Sequence, residues 1–169
     1  MAEQQVRQPR AMIWQLVLPV LWIGVVFAIS FIEAPLKFQA PGITIPLGLG
    51  IGRLVFTALN AVELLLALAL IVVSFWPRVT ALAAGLKGLL LSIVIVLVLK
   101  VSVVRPPLNA RTNEVLAGAD PGQSPWHYIY IALDLVLLAL LVIFVVRQSG
   151  RILARMGGPT PSKSEPSAG

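Results

Sequence analysis

The chain has 169 residues, 58% of them hydrophobic and 12% charged, with a mean hydropathy of +0.93; that balance belongs to a membrane protein and leaves length for one helical bundle without a separate catalytic domain. It contains no cysteine, which excludes disulfides, thiolate metal sites, iron–sulfur clusters and thiol catalysis, and its single histidine, His127, excludes a conventional multi-histidine zinc site within one chain. The formal charge of +6 comes from Lys and Arg that mostly flank apolar runs, so it reads as membrane topology and not as nucleic-acid binding.

Residues 1–11 form a polar N-terminus, and residues 12–149 form the membrane domain. Spans are predicted near 12–33, 51–76, 79–104 and 126–147, each long enough to cross about 30 Å of hydrocarbon at ~1.5 Å per residue. Arg7 and Arg10 before the first run, and Ala28-Ile29-Ser30 within it, have the look of a signal peptide. The run is long for a signal core and three more follow, so it is read as a retained span. Pro19 predicts a kink there.

Pro35 predicts that the first helix stops or kinks near Glu33, and Pro41, Gly42 and Pro46 oppose a restart before Gly50–Gly52. Whether residues 43–50 re-enter the bilayer stays open. Trp76-Pro77-Arg78 is expected to end the second helix and Arg105-Pro106-Pro107 the third. Ser124-Pro125-Trp126 reads as a cap, a first-turn proline and an interfacial anchor for the fourth. The Gly, Pro and Ser content of residues 150–169 predicts a disordered tail.

Arg7, Arg10, Arg78, Arg147, Arg151 and Arg155 lie on the side of the termini, against Lys37, Arg53, Arg105 and Arg111 on the other. This bias places both termini in the cytoplasm and the loops 34–50 and 105–125 outside. The two hairpins share a faint likeness: Pro35-Leu36 and Pro107-Leu108 each precede a helix bearing an acid, Glu63 or Asp134.

Ionisable groups inside a span cost roughly 2.5 to 3.5 kcal/mol near the centre and need a partner, water or an escape to the interface. At 100° per residue, Arg53, Asn60 and Glu63 share a stripe of about 80° on the second helix, and His127, Tyr130 and Asp134 one of about 60° on the fourth. Stripes that face each other make either a satisfied polar seam or a site for an ion, proton or small ligand; stripes that face outward make a homo-oligomer or partner interface. Lys87 and Lys100 differ by about 140° and cannot line one seam. Lys100 is expected at the outer interface or level with His127 and Tyr130, and Lys87 is expected to snorkel or to reach towards Glu63 across the hairpin. Glu33, paired with Arg53, forms a pocket rim with Lys37, Lys100 and Arg105. His127 could titrate near neutrality or serve as one axial haem ligand with Met, Lys or Tyr opposite. No nucleophile–base pair, P-loop or dinucleotide fingerprint is present.

FIEAPLKF, GLGIGRLVFTALNAVE, PPLNARTNEVLAG and SPWHYIYIALD together resemble small four-helix bacterial membrane proteins of unknown function, the transmembrane-205-like group, over about residues 12–147. The resemblance implies an all-α, antiparallel four-transmembrane-helix bundle in a bacterial cytoplasmic membrane. A more distant similarity reaches copper-resistance D membrane domains and four-helix haem-binding protoporphyrinogen oxidases. Histidines carry much of the metal or haem binding in those proteins; this chain has His127 alone, with Met1, Met12 and Met156 at or near its ends.

The expectation is therefore a multi-pass protein with an outward polar pocket between the second and fourth helices, serving small-solute or ion transport or ligand sensing. Glu63 and Asp134 would bind or carry protons, Arg53 and His127 would set the charge at the mouth, and Asn60 and Tyr130 would orient the ligand. No catalytic residue, metal or cofactor is assigned. Two alternatives are a haem- or porphyrin-binding oxidoreductase accessory using His127, and a structural or assembly subunit of a membrane complex.

Overall fold

The computed structural model describes residues 2–75, 82–119, 122 and 124–156, with side chains from residue 10 onward. Four helical rods, Arg10–Gln39, Ile45–Phe75, Ala84–Leu116 and Pro125–Met156, pack antiparallel and are each long and apolar enough to cross a membrane. They are the first to fourth spans below. Large apolar side chains such as Leu54, Leu65, Leu91 and Val146 stand exposed around the outside. An apolar surface of that extent suits lipid and not water. The end holding both termini is called the termini end, and the opposite one the distal end.

The first span packs most extensively on the fourth, and then on the second; the third packs on the fourth. Second and third spans meet mainly at the distal end, through residues 105–116. Trp22, Leu59, Leu70, Ile93, Leu137 and Phe144 have no exposed surface and fill the interior.

Two expected helix ends are not ends. The first span continues from its α-helix, Ala2–Phe27, through a π-helical segment, Ala28–Glu33, a single turn Ala34–Leu36 and a 3₁₀ turn Lys37–Gln39. The third span does the same: α-helix Ala84–Leu99, π segment Lys100–Val104, then α-helix Arg105–Leu116. In an α-helix a proline ring meets the carbonyl four residues back and cannot donate to it. Here the preceding turn is widened: the Ala34 amide donates to Ile29 O and the Arg105 amide to Lys100 O, each five residues back. Pro35 and Pro106 follow these wide turns directly, so the rod bypasses the proline instead of breaking at it. The faint likeness of the hairpins thus has a local geometric counterpart, a π segment before each Pro-Leu step.

The second span starts earlier than expected, at Ile45. Thr44 caps it, its carbonyl accepting from Gly48 N at 2.8 Å and its hydroxyl from Leu47 N at 3.4 Å. Pro46 falls in the first turn, where no amide donor is required. Residues 45–50 are therefore the start of this helix. Ser124 does not cap the fourth span with its side chain; its Oγ is buried without a hydrogen bond, and its carbonyl accepts from His127 N at 3.2 Å. The fourth span passes Ser149-Gly150 and continues to Met156. The loop placed at 105–125 shrinks to a link after Leu116, where Gly118 and Gly122 take positive φ of 92° and 71°. Trp76-Pro77-Arg78 and the tail from 157 onward lie outside the described residues.

Candidate functional site

The two polar stripes face one another. Asn60 and Glu63 of the second span and Tyr130 and Asp134 of the fourth are all buried in the interior. Between them sits Lys100, the first residue of the third span's π segment, with no exposed side-chain surface. Its ammonium lies 2.7 Å from Glu63 Oε1 and Oε2, 2.6 Å from Asp134 Oδ1, and 5.1 Å from the centre of the Tyr130 ring. One lysine thus bridges two carboxylates from two other helices.

The remaining acceptors are filled from the first span. Trp22 Nε1 donates to Glu63 Oε1 at 3.2 Å, and Ser30 Oγ, on the first π segment, donates to Asp134 Oδ2 at 2.7 Å. With its nitrogen turned toward the acid, the Asn60 amide donates to Glu63 Oε2 at 3.0 Å and to Tyr130 OH at 2.9 Å, while its carbonyl accepts from Arg105 Nη1. Arg105 also donates to Phe56 O at 2.8 Å and to Thr57 Oγ1 at 2.5 Å. The cluster therefore holds two carboxylates, one ammonium and, one layer nearer the distal end, one guanidinium. All four spans contribute, which is how charges of this cost are kept away from lipid.

Above the cluster, on the distal side, lies a cavity of about 460 Å³. Asp134, Tyr130 and Ser30 line it beside the cluster; Phe31, Phe38, Phe56, Leu49, Leu108 and Ile131 give it apolar walls; Lys37, Arg53, Arg105 and His127 add polar groups. Two glycines make room at its edge. A Cβ on Gly48 would fall on the Phe38 ring and one on Gly52 2.9 Å from Lys37 Nζ, so the end of the first span lies directly on the second.

Of the ten residues singled out from sequence, Arg53, His127, Tyr130, Asp134, Lys37 and Arg105 line the cavity. Asn60 and Glu63 lie in the cluster beneath it. Glu33 pairs with Lys37 at 3.4 Å, one turn along its own span, and not with Arg53, whose Nη1 donates to Asn113 Oδ1 at 2.6 Å. Lys100 is no rim residue. It is the centre of the cluster, because the third span runs on to Leu116 and leaves Lys100 midway along its rod. Lys87 stands exposed on the outside, away from Glu63.

Sequence reasoning missed Trp22 and Ser30. A tryptophan far from either end of an apolar run carries an N–H that needs an acceptor, and that was the available signal for Trp22. Ser30 carried none beyond its polarity. A second polar contact, Gln148 Nε2 to Gln15 Oε1 at 2.8 Å with Gln15 Nε2 to Val73 O at 3.3 Å, joins first, second and fourth spans toward the termini end. Among the described residues no group of three or more His, Asp or Glu side chains is placed to hold a metal ion. Comparison with protein-family models, with characterised proteins and with solved structures yields no match.

Proposed function

We propose that this chain is a multi-pass protein of a bacterial cytoplasmic membrane, with both termini in the cytoplasm, that binds a small solute in its distal cavity for sensing or transport. One observation carries the reading: a cavity of ligand size whose floor is part of a charge cluster shared by all four spans. A solute that touches Asp134, Tyr130 or Arg105 acts on groups tied to Glu63 and Lys100, so occupancy has a route into helix packing. Arg10, Arg147, Arg151 and Arg155 at the termini end support the orientation. Beneath the cluster, Leu70, Leu137, Leu141 and Phe144 are fully buried and form an apolar layer, which favours a binding site over an open pore.

The alternatives have less support. Lys100 and Tyr130, two of the side chains that could serve a haem opposite His127, are engaged with the two acids and with Asn60. The deeper members of the polar stripes, Asn60, Glu63, Tyr130 and Asp134, are turned inward, which weighs against them as an assembly surface.

The chain has no cysteine, so Ile131→Cys on the cavity wall introduces the sole thiol. In right-side-out vesicles this variant is expected to react with a membrane-impermeant maleimide, whereas Leu137→Cys in the apolar layer stays unlabelled. Equal protection of both thiols would remove the cavity as an aqueous binding site; labelling only in inside-out vesicles would reverse the orientation.

A further inference from the structure

Resting on that reading, we infer that the ligand is an organic anion with an apolar body, its carboxylate or phosphate head held by Lys37, Arg53 and Arg105. These three cations line one cavity. The single carboxylate among the lining residues, Asp134, already accepts from Lys100 on one oxygen and from Ser30 on the other. The wall thus carries three cations against one engaged carboxylate; Glu33 meets Lys37 from outside the wall, Arg105 stands against the two carboxylates and one ammonium of the cluster beneath, and Arg53 has an amide, Asn113, as its partner.

Each cation retains donors. Lys37 meets Glu33 only at 3.4 Å, long for a charge-assisted bond, and its ammonium lies 5.6 Å from the centres of the Phe38 and Phe56 rings. Arg53 gives Nη1 to Asn113, and Arg105 is occupied on the side facing Phe56, Thr57 and Asn60. A guanidinium has five N–H groups in a planar fork suited to a carboxylate or phosphate.

The rest of the cavity rejects a bare inorganic ion as the natural occupant. Phe31, Leu49, Leu108 and Ile131 present hydrocarbon that only an apolar body would use. A cationic amphiphile would meet three like charges, and a neutral one would leave them unused. The volume of about 460 Å³ suits one drug-sized molecule or a single acyl chain with its head. The same head chemistry is available from a free alkyl carboxylate or from the headgroup of an anionic lipid.

The test uses the full chain in nanodiscs of zwitterionic lipid, with radiolabelled decanoate as the probe and empty discs as the blank. Saturable binding is expected, displaced by decyl phosphate but not by decanol or decylamine. Lys37→Gln and, separately, Arg53→Gln should each weaken it by about tenfold, the loss of one charge-assisted contact, while Lys37→Arg keeps it. Loss of decanoate binding when phosphatidylglycerol replaces part of the disc lipid supports the same head chemistry and identifies the lipid as its source. Displacement by decanol or decylamine as effective as by decyl phosphate, or affinity unchanged in both Gln variants, overturns the inference. Absence of saturable binding in either kind of disc, with Ile131→Cys still labelled by the maleimide, overturns the ligand class alone; absence of both overturns the cavity reading as well.

Discussion

Both halves of this bundle bury polar groups between helices, but they do so with different chemistry. Near the termini end, Gln15 and Gln148 bond to each other and to the Val73 carbonyl. These are neutral groups, inexpensive to bury once paired. Toward the distal end, Lys100, Glu63 and Asp134 place full charges in the interior, with donors from Trp22, Ser30 and Asn60 completing the shell. At the termini end, Arg151 Nη1 adds a donor to Gln148 Oε1 at 3.2 Å from one turn along the same helix. The charged cluster asks for more justification, and it is the one that adjoins the cavity and both π segments.

The comparison breaks most easily at Lys100. Lys100→Met leaves two carboxylates together without their cation, and removing one partner from a buried ionic group costs about 3 to 5 kcal/mol. A large fall in the thermal midpoint of the detergent-solubilised protein is expected, followed by size-exclusion chromatography. Adding Glu63→Gln and Asp134→Asn to Lys100→Met should recover most of the loss, because the three buried charges that face one another are then gone together. A triple variant no more stable than Lys100→Met would mean that the charges are not what sets the cost.

Trp22→Phe tests the shell of the cluster. It removes one donor to a buried carboxylate and should cost about 1.5 to 3 kcal/mol, the range for hydrogen bonds to charged groups. Gln148→Leu, in the other half, should cost only about 1 kcal/mol, and Gln15→Leu added to it should cost less than it does alone, since the two amides no longer leave each other unpaired. A larger loss in the Gln variant than in Trp22→Phe would invert the ranking of the two halves. The smallest effect belongs to Gly52→Ala. Its new methyl meets the mobile end of Lys37 and should change stability by no more than about 0.5 kcal/mol, while a measurable change in decanoate affinity would show that the ammonium had moved.

Helical phase made much of this legible from sequence. Asn60 and Glu63, and Tyr130 and Asp134, fall on narrow stripes of two spans, and the structure turns those stripes toward each other. Lys100 was misplaced for two physical reasons. Pro106-Pro107 signals a helix end, which cuts the third span at residue 104 and puts its lysine at the interface or level with His127 and Tyr130; it lies beside Tyr130 but deep in the cluster. A π turn also holds more residues than an α turn, so a phase of 100° per residue loses its bearing there. Glu33 was matched with Arg53 by level alone, whereas the helix through Pro35 brings Lys37 within reach one turn later. Trp22 and Ser30 lie in an apolar run, where the pattern of a single chain does not distinguish an inward polar atom from a lipid-facing one.

The apolar layer under the charge cluster has a consequence for what the cavity can report. Among the described residues, Leu70, Leu137, Leu141 and Phe144 are fully buried and apolar between the cluster and the termini end. If a water-borne solute is held at Asp134 as proposed, it exchanges through the distal side, and the fraction of filled sites follows its concentration on that side of the bilayer. On the proposed reading the bundle is a blind well, open to one compartment and closed to the other.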